Sequence, residues 1–286
     1  MKKLIASALL LSCSFNTMAE TSLWKATKGE STVYLGGTIH ILRPSDYPLP
    51  EAFDEAYANS DKVAFETDIL ALQSPALGQK MLKELSYQDE RTVKSVLKPE
   101  NYEALKNKLE SLGMSLNMFP KAKPGLIMSL LTVAELAKKG VKQEGIDIFF
   151  AKKARKDSKE QLQLETPEEQ IAFLARLGDG NEDVFYQKML KDVDSINEQF
   201  IDMLRVWRSG DTKALDDMIN QSMRKEYPAM YDSLLVERNN NWMPSVEAYF
   251  DTPETELVLV GAAHLIGEDG LIEQLKKKGY QIEQMK

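Results

Sequence analysis

Apolar and polar positions alternate in short runs at the two ends of the chain and recur at threes and fours through its middle. The runs SLWKAT (residues 22–27) and STVYL (residues 31–35) flank Lys28-Gly29-Glu30, which predicts a β-hairpin over residues 22–36. Arg43-Pro44-Ser45-Asp46-Tyr47-Pro48-Leu49-Pro50 then reads as a proline-punctuated loop. Its last proline suits the first turn of a helix, EAFDEAYANS. Lys62-Val63-Ala64-Phe65-Glu66 predicts a further short strand that ends in an acid. From about residue 75 to 155 the period becomes helical, with Leu105, Leu109 and Leu112 on one face and Leu126, Leu130, Val133 and Leu136 on another. Pro99, Pro120, Pro124 and Gly140 divide that stretch, and Gly145-Ile146-Asp147 opens a further helix through Ala154.

Strand periodicity returns in Gln161 to Glu165. Thr166-Pro167-Glu168-Glu169 then supplies an N-cap, a proline at the first helical position and acids in the first turn. Residues 181–250 are again helical, preceded by the turn Gly178-Asp179-Gly180-Asn181. Glu256 to Val260 is apolar enough for a buried strand. A helix from about Asp269 to Lys278, Gly279 as its stop and a last strand around Tyr280 to Glu283 complete the chain. The pattern predicts an α/β fold: a mixed sheet with flanking helices and a large helical insertion at about residues 75–155. Residues 20–286 form one domain, with no linker composition to divide it.

Composition changes this picture at the N-terminus. Lys2 and Lys3 precede LIASALLL, which is too short to span a bilayer, and Thr17-Met18-Ala19 places small residues before a cleavage point. Residues 1–19 therefore read as a secretory signal peptide and the protein as exported and periplasmic. The lone cysteine gives a competing reading, because Leu10-Leu11-Ser12-Cys13 resembles a lipobox that would make Cys13 a lipid anchor. Either cut leaves no disulfide framework. A net charge of −8 argues against a nucleic-acid partner, and no later run reaches transmembrane length.

The chemistry lies where two apolar runs break in the same way. VYLGGTIHIL (residues 33–42) and LVLVGAAHLI (residues 257–266) superpose Gly37 on Gly261 and His40 on His264, and these are the two histidines of the chain. A glycine relieves Cβ crowding where a strand enters a tight turn or approaches a ligand closely. His40 and His264 lie just past strands, while Glu66 and Glu165 end strands. Ligands of open α/β sheets bind outside the carboxyl ends of the strands, so parallel strands would deliver all four to one edge. Two imidazoles with one or two carboxylates make an open divalent-metal site of hydrolase type. The same groups without metal form an acid/base pair that activates water.

Other residues read both ways. Asp68 shares a face with Glu66 if the strand continues. Glu165 is either a site acid or a companion of the following helix dipole, and Asp147 is either an N-cap or an acid supporting the site. Arg238-Asn239 interrupts LLVERNNNW with polar residues, as a solvated turn does. HExxH, GxSxG, Walker and paired CxxC motifs are absent from the sequence.

With these residues in hand, the sequence resembles the TraB/GumN family, related to the Tiki metalloproteases. The resemblance spans nearly the whole mature chain: Leu23-Trp24 and YLGGTIHIL, FETD at Phe65 to Asp68, Gly145-Ile146-Asp147, LETPEEQ, Glu237-Arg238-Asn239 and LVGAAHLIGEDGL. It implies an α/β fold with His40, Glu66 and His264 at a shared site. From the Tiki branch it implies peptide-bond cleavage with manganese- or cobalt-type ions, zinc being the alternative metal. It also gives Arg238 and Asn239 a role in binding substrate or stabilising oxyanion charge. The expected partner is a peptide or small-molecule substrate. A peptide-sequestering module without turnover is the reading from outside the enzymes. Oligomeric state is not predicted.

Overall fold

The protein is described by a computed structural model covering residues 20–142 and 144–286. Residues 1–19, where the sequence leads one to expect a signal peptide or a lipid-carrying Cys13, lie outside the described residues. Six strands form one sheet in the order β4-β3-β5-β2-β1-β6. They are β1 Leu23–Lys28, β2 Ser31–Thr38, β3 Lys62–Phe65, β4 Glu160–Gln163, β5 Glu256–Gly261 and β6 Gln281–Gln284. The predicted hairpin is β1 and β2, paired antiparallel from Leu23 against Gly36 to Lys28 against Ser31, with Gly29 at φ +62 in its turn.

Strands β2, β5, β3 and β4 are mutually parallel, and β1 runs against both β2 and β6. The sheet is thus mixed, as the sequence predicts. Parallel neighbours need long crossovers, which here are helical. Helix Glu51–Ala58 joins β2 to β3, the helices between residues 75 and 157 join β3 to β4, and those between 167 and 248 lead to β5. Central strand β5 is buried along its whole length, and Leu257 to Val260 have no exposed surface. Such a continuous apolar run is what a strand covered on both faces requires.

The helices close two apolar cores. One lies on the sheet and includes Phe53, Phe150, Trp207 and Trp242 beside Val258 and Leu259. Helix Ile146–Asp157 packs there through Ile146, Phe150, Ala151 and Ala154. The second core is helical and joins Leu85, Leu105, Leu109 and Leu131 to Tyr186 and Met189. Fully burying one such large side chain stabilises the fold by about 1.5–3 kcal/mol.

Local signals hold where chemistry enforces them. Thr166 caps helix Pro167–Ala175 in a reciprocal capping box with Glu169. Gly178 and Gly180 take positive φ in the predicted turn. Two expectations are corrected. Strand β3 ends at Phe65, so Asp68 is not on a continued strand; its Oδ1 instead accepts from the Ala71 N–H in an exposed turn. Arg238-Asn239 is no solvated turn: it lies in helix Glu237–Ala248, which follows directly on a π-helical turn, Asp232–Val236. Among the described residues, no helix is long and apolar enough to cross a membrane.

Candidate functional site

The parallel strands deliver His40, Glu66, Glu165 and His264 beyond the same edge of the sheet. His40 follows β2 by two residues. Its main chain is pinned by the Ile146 N–H, which donates to Ile39 O at 3.1 Å. This approach needs Gly145, because a Cβ there would lie 2.2 Å from the carbonyl carbon of His40. Gly145 is also the N-cap of its helix, which frees Asp147 to face inward. Asp147 Oδ2 lies 2.9 Å from His40 Nδ1, and Oδ1 accepts from Thr38 Oγ1 at 2.6 Å. The imidazole is otherwise open, with 57% of the side chain exposed. The Asp147 carboxylate pushes its pKa up to about 9, with Glu66 adding to the effect.

Glu66 follows β3 directly and is buried. Oε1 accepts the Gly261 N–H at 2.7 Å, while Oε2 accepts from Arg238 Nη2 at 2.6 Å and Gln170 Nε2 at 3.1 Å. Burial alone would raise its pKa. Arg238, the two imidazoles and the Gly261 N–H outweigh burial and hold the carboxyl well below the usual carboxylate range. Glu165, beyond β4, takes two bonds from Arg238, at 3.0 Å from Nε and 2.6 Å from Nη2, and a third from Trp242 Nε1 at 3.0 Å. Burial pushes its pKa up, with Arg238 opposing the shift.

His264 sits on a one-turn helix, Ala262–Leu265, that leaves β5. Its Nδ1 lies 2.7 Å from Asn239 Oδ1, and its Nε2 lies 3.0 Å from Arg238 Nη1. A guanidinium only donates, so Nε2 accepts and Nδ1 carries the proton. Burial lowers the pKa to about 3, which keeps this ring neutral. Asn239 further fixes the turn by donating Nδ2 to His264 O at 3.1 Å and Asp269 O at 2.8 Å.

The paired glycines do different work. A Cβ on Gly37 would press to 3.1 Å on Ala262, so this glycine admits the turn that carries His264. A Cβ on Gly261 would stand 3.2 Å from Glu66 Oε1 and 3.3 Å from His40 Nε2, so this glycine keeps the centre of the cluster open.

All the sequence candidates except Asp68 meet here. Arg238 and Asn239 are buried, and their polar atoms are engaged with Glu66, Glu165, His264 and backbone carbonyls. Thr38, Gln170 and Trp242 were not anticipated. Trp242 stands one helical turn after Arg238, with the guanidinium 4.5 Å from its ring, so the spacing in ERNNNW carried a signal.

Among the described residues, no group of three or more His, Cys, Asp or Glu side chains is arranged to hold a metal ion. What stands at the centre is a looser set: His40 Nε2 and His264 Nε2, each 3.9 Å from Glu66 Oε1. Its chemistry suits a divalent ion in two respects. Each imidazole has its Nδ1 side anchored, as metal-bound histidines do, and the space a Gly261 Cβ would fill lies between the donors.

A model of the TraB/PrgY/gumN family matches residues 22–284. The chain is 25% identical over 252 residues to uncharacterized protein YbaP of Escherichia coli (strain K12), covering 87% of this chain and 89% of the relative. Uncharacterized protein YbaP of Shigella flexneri matches to the same extent, at 25% over 252 residues. No solved structure matches. The family match covers the hairpin, both glycine–histidine turns and every member of the cluster, and the chain belongs to the TraB/PrgY/gumN family.

Proposed function

We propose that this protein is a metal-dependent hydrolase whose ion is held by His40 Nε2, His264 Nε2 and Glu66. The observation that carries the reading is the convergence of both Nε2 atoms on one carboxylate oxygen, each at 3.9 Å. A divalent ion so held supplies an acidified water and a polarised carbonyl. The chain's own residues set the conditions. Asp147 and Thr38 fix the His40 tautomer so that its Nε2 lone pair faces inward. Asn239 anchors Nδ1 of His264 in the same way, and Arg238 Nη1 would have to release the His264 Nε2 lone pair for an ion to bind there. Arg238 bridges Glu66 and Glu165 with its one positive charge, and Glu165 serves as its clamp rather than as a fourth ligand. His40 is the exposed member and marks the side from which substrate arrives.

The resemblance to Tiki metalloproteases makes a peptide bond the first substrate to try, and manganese or cobalt the first ions. Residues 1–19 add export to the reading. Digestion of a peptide mixture with added Mn²⁺, Co²⁺ or Zn²⁺, read by mass spectrometry, tests it. Cleavage that requires the ion and disappears in His40→Ala and His264→Ala supports the assignment.

One contact favours an ion-free variant of the same chemistry. Arg238 Nη1 already uses the His264 Nε2 lone pair at 3.0 Å. Without metal, His40 is solvent-facing and oriented by Asp147. With its pKa raised to about 9 it would act on an ester or amide as the proton donor at neutral pH, and as a base only above about pH 9. Full cleavage after exhaustive chelation selects this second reading.

A further inference from the structure

Asn220 lies outside the strand ends and both repeated motifs, yet it is buried, with 2% of its surface exposed. It sits on a π-helical turn, Asp217–Gln221, and such turns arise where the ordinary helical ladder is interrupted to place a side chain. Its Nδ2 donates to Ala263 O at 3.0 Å and to Ile266 O at 3.0 Å. These carbonyls bracket His264 on its short helix. A single turn of four residues has little stability of its own, so its carbonyls need partners from elsewhere.

The next residue shows how closely this contact is fitted. Gly267 adopts φ +79, and a Cβ there would lie 2.3 Å from Asp216 Oδ1 and 3.2 Å from Asn220 Nδ2. The π-helical segment therefore packs directly against the loop that leaves the His264 turn. Asn239 grips the same turn from the other helix, through His264 O and Asp269 O.

We infer that Asn220 is a positioning residue for His264: two amide side chains, Asn220 and Asn239, hold the imidazole turn between them, and the Asn220 clamp fixes the aim of Nε2. The Asn220 amide donates to the Ala263 and Ile266 carbonyls and not to the imidazole or Glu66, so it acts through the backbone of residues 263–266. The inference deepens the proposed function and rests on His264 being a working group of the site.

The test follows the His264 Nδ1 proton by ¹⁵N-edited NMR on the ion-free full chain, which needs neither metal nor substrate. In Asn220→Asp the donor becomes an oxygen facing two carbonyl oxygens. The expected result is exchange of the Nδ1 proton about tenfold faster, the size of one lost hydrogen bond. Ser22→Ala, which removes the buried Ser22 hydroxyl bond to Trp207 O at 2.8 Å, is the control for general loosening and should leave that proton unchanged. A folded Asn220→Asp protein with unaltered His264 exchange overturns the inference, as does an equal effect from Ser22→Ala.

Should Asn220→Asp not fold, the unsubstituted protein still decides. The Asn220 side-chain amide protons and the His264 Nδ1 proton should then exchange through one shared opening, and separate opening rates overturn the clamp. Mn²⁺ calorimetry on the same samples separates the two readings. Faster His264 exchange with undiminished Mn²⁺ affinity upholds the clamp and removes His264 from the ion's ligands.

Discussion

The Gly261 N–H donates to Glu66 Oε1 at 2.7 Å, and the missing side chain of the same residue leaves the space that faces His40 Nε2. One glycine thus both holds the central carboxylate and keeps its surroundings open. Its backbone, at φ −49 and ψ 135, is ordinary for any residue, so the requirement is steric and belongs to the site.

Gly261→Ala should therefore fold. Overpacking at this position should cost about 1–3 kcal/mol, read as a lower midpoint in denaturant. Ion affinity and cleavage should fall by about tenfold or more, since the new methyl enters the donor set. An alanine variant with undiminished affinity would show that the space between His40 and Glu66 is not where the ion sits.

Arg238→Ala should be among the most damaging single changes in the chain. It leaves Glu66 and Glu165 buried without their shared cation, a loss of about 3–5 kcal/mol by precedent for broken buried pairs. Equilibrium urea unfolding measures it. A near-neutral result would mean that the carboxylates are held by their other donors, Gly261, Gln170 and Trp242.

The two histidines should shape stability with opposite signs. His40, raised by Asp147 from 6.5 to about 9, stabilises the fold fully below about pH 6.5, and this contribution fades as pH rises through about 9. His264, lowered by burial from 6.5 to about 3, stays unprotonated in the fold while the unfolded chain takes up a proton. Stability is therefore lost as pH falls from about 6.5 towards about 3. In ion-free protein this pair should place its optimum near pH 6.5, and Asp147→Asn should remove the alkaline decline. Chemical unfolding across that range checks both limbs. A His40 resonance that titrates near 6.5 in the unsubstituted protein contradicts the Asp147 contact.

Much of this arrangement was legible in the sequence. The hairpin and the Thr166 cap follow from period and turn residues, and the sequence places His40, Glu66, Glu165 and His264 at strand ends. That they share an edge rests on the parallel pairing that the structure supplies. The part that stayed hidden is carried by helices far along the chain. Arg238 bonds Glu66 across 172 residues and Glu165 across 73, and no local pattern encodes such a pairing. A polar run such as ERNNN looks solvated until its partners are known, because a buried cation is tolerated only beside buried anions. Asn220 was hidden for the same reason: its partners are carbonyls, which leave no trace in side-chain identity. Asp68 misled because the strand ends at Phe65, and the same-face argument needs the strand to continue.

The most direct measurement is ion binding by the protein, by elemental analysis and calorimetry with Mn²⁺, Co²⁺ and Zn²⁺, beside the His40→Ala/His264→Ala double variant. The account predicts close to one ion per chain, lost in the double variant while the circular dichroism stays unchanged. No binding of any of the three ions, or binding that survives in the double variant, would contradict it.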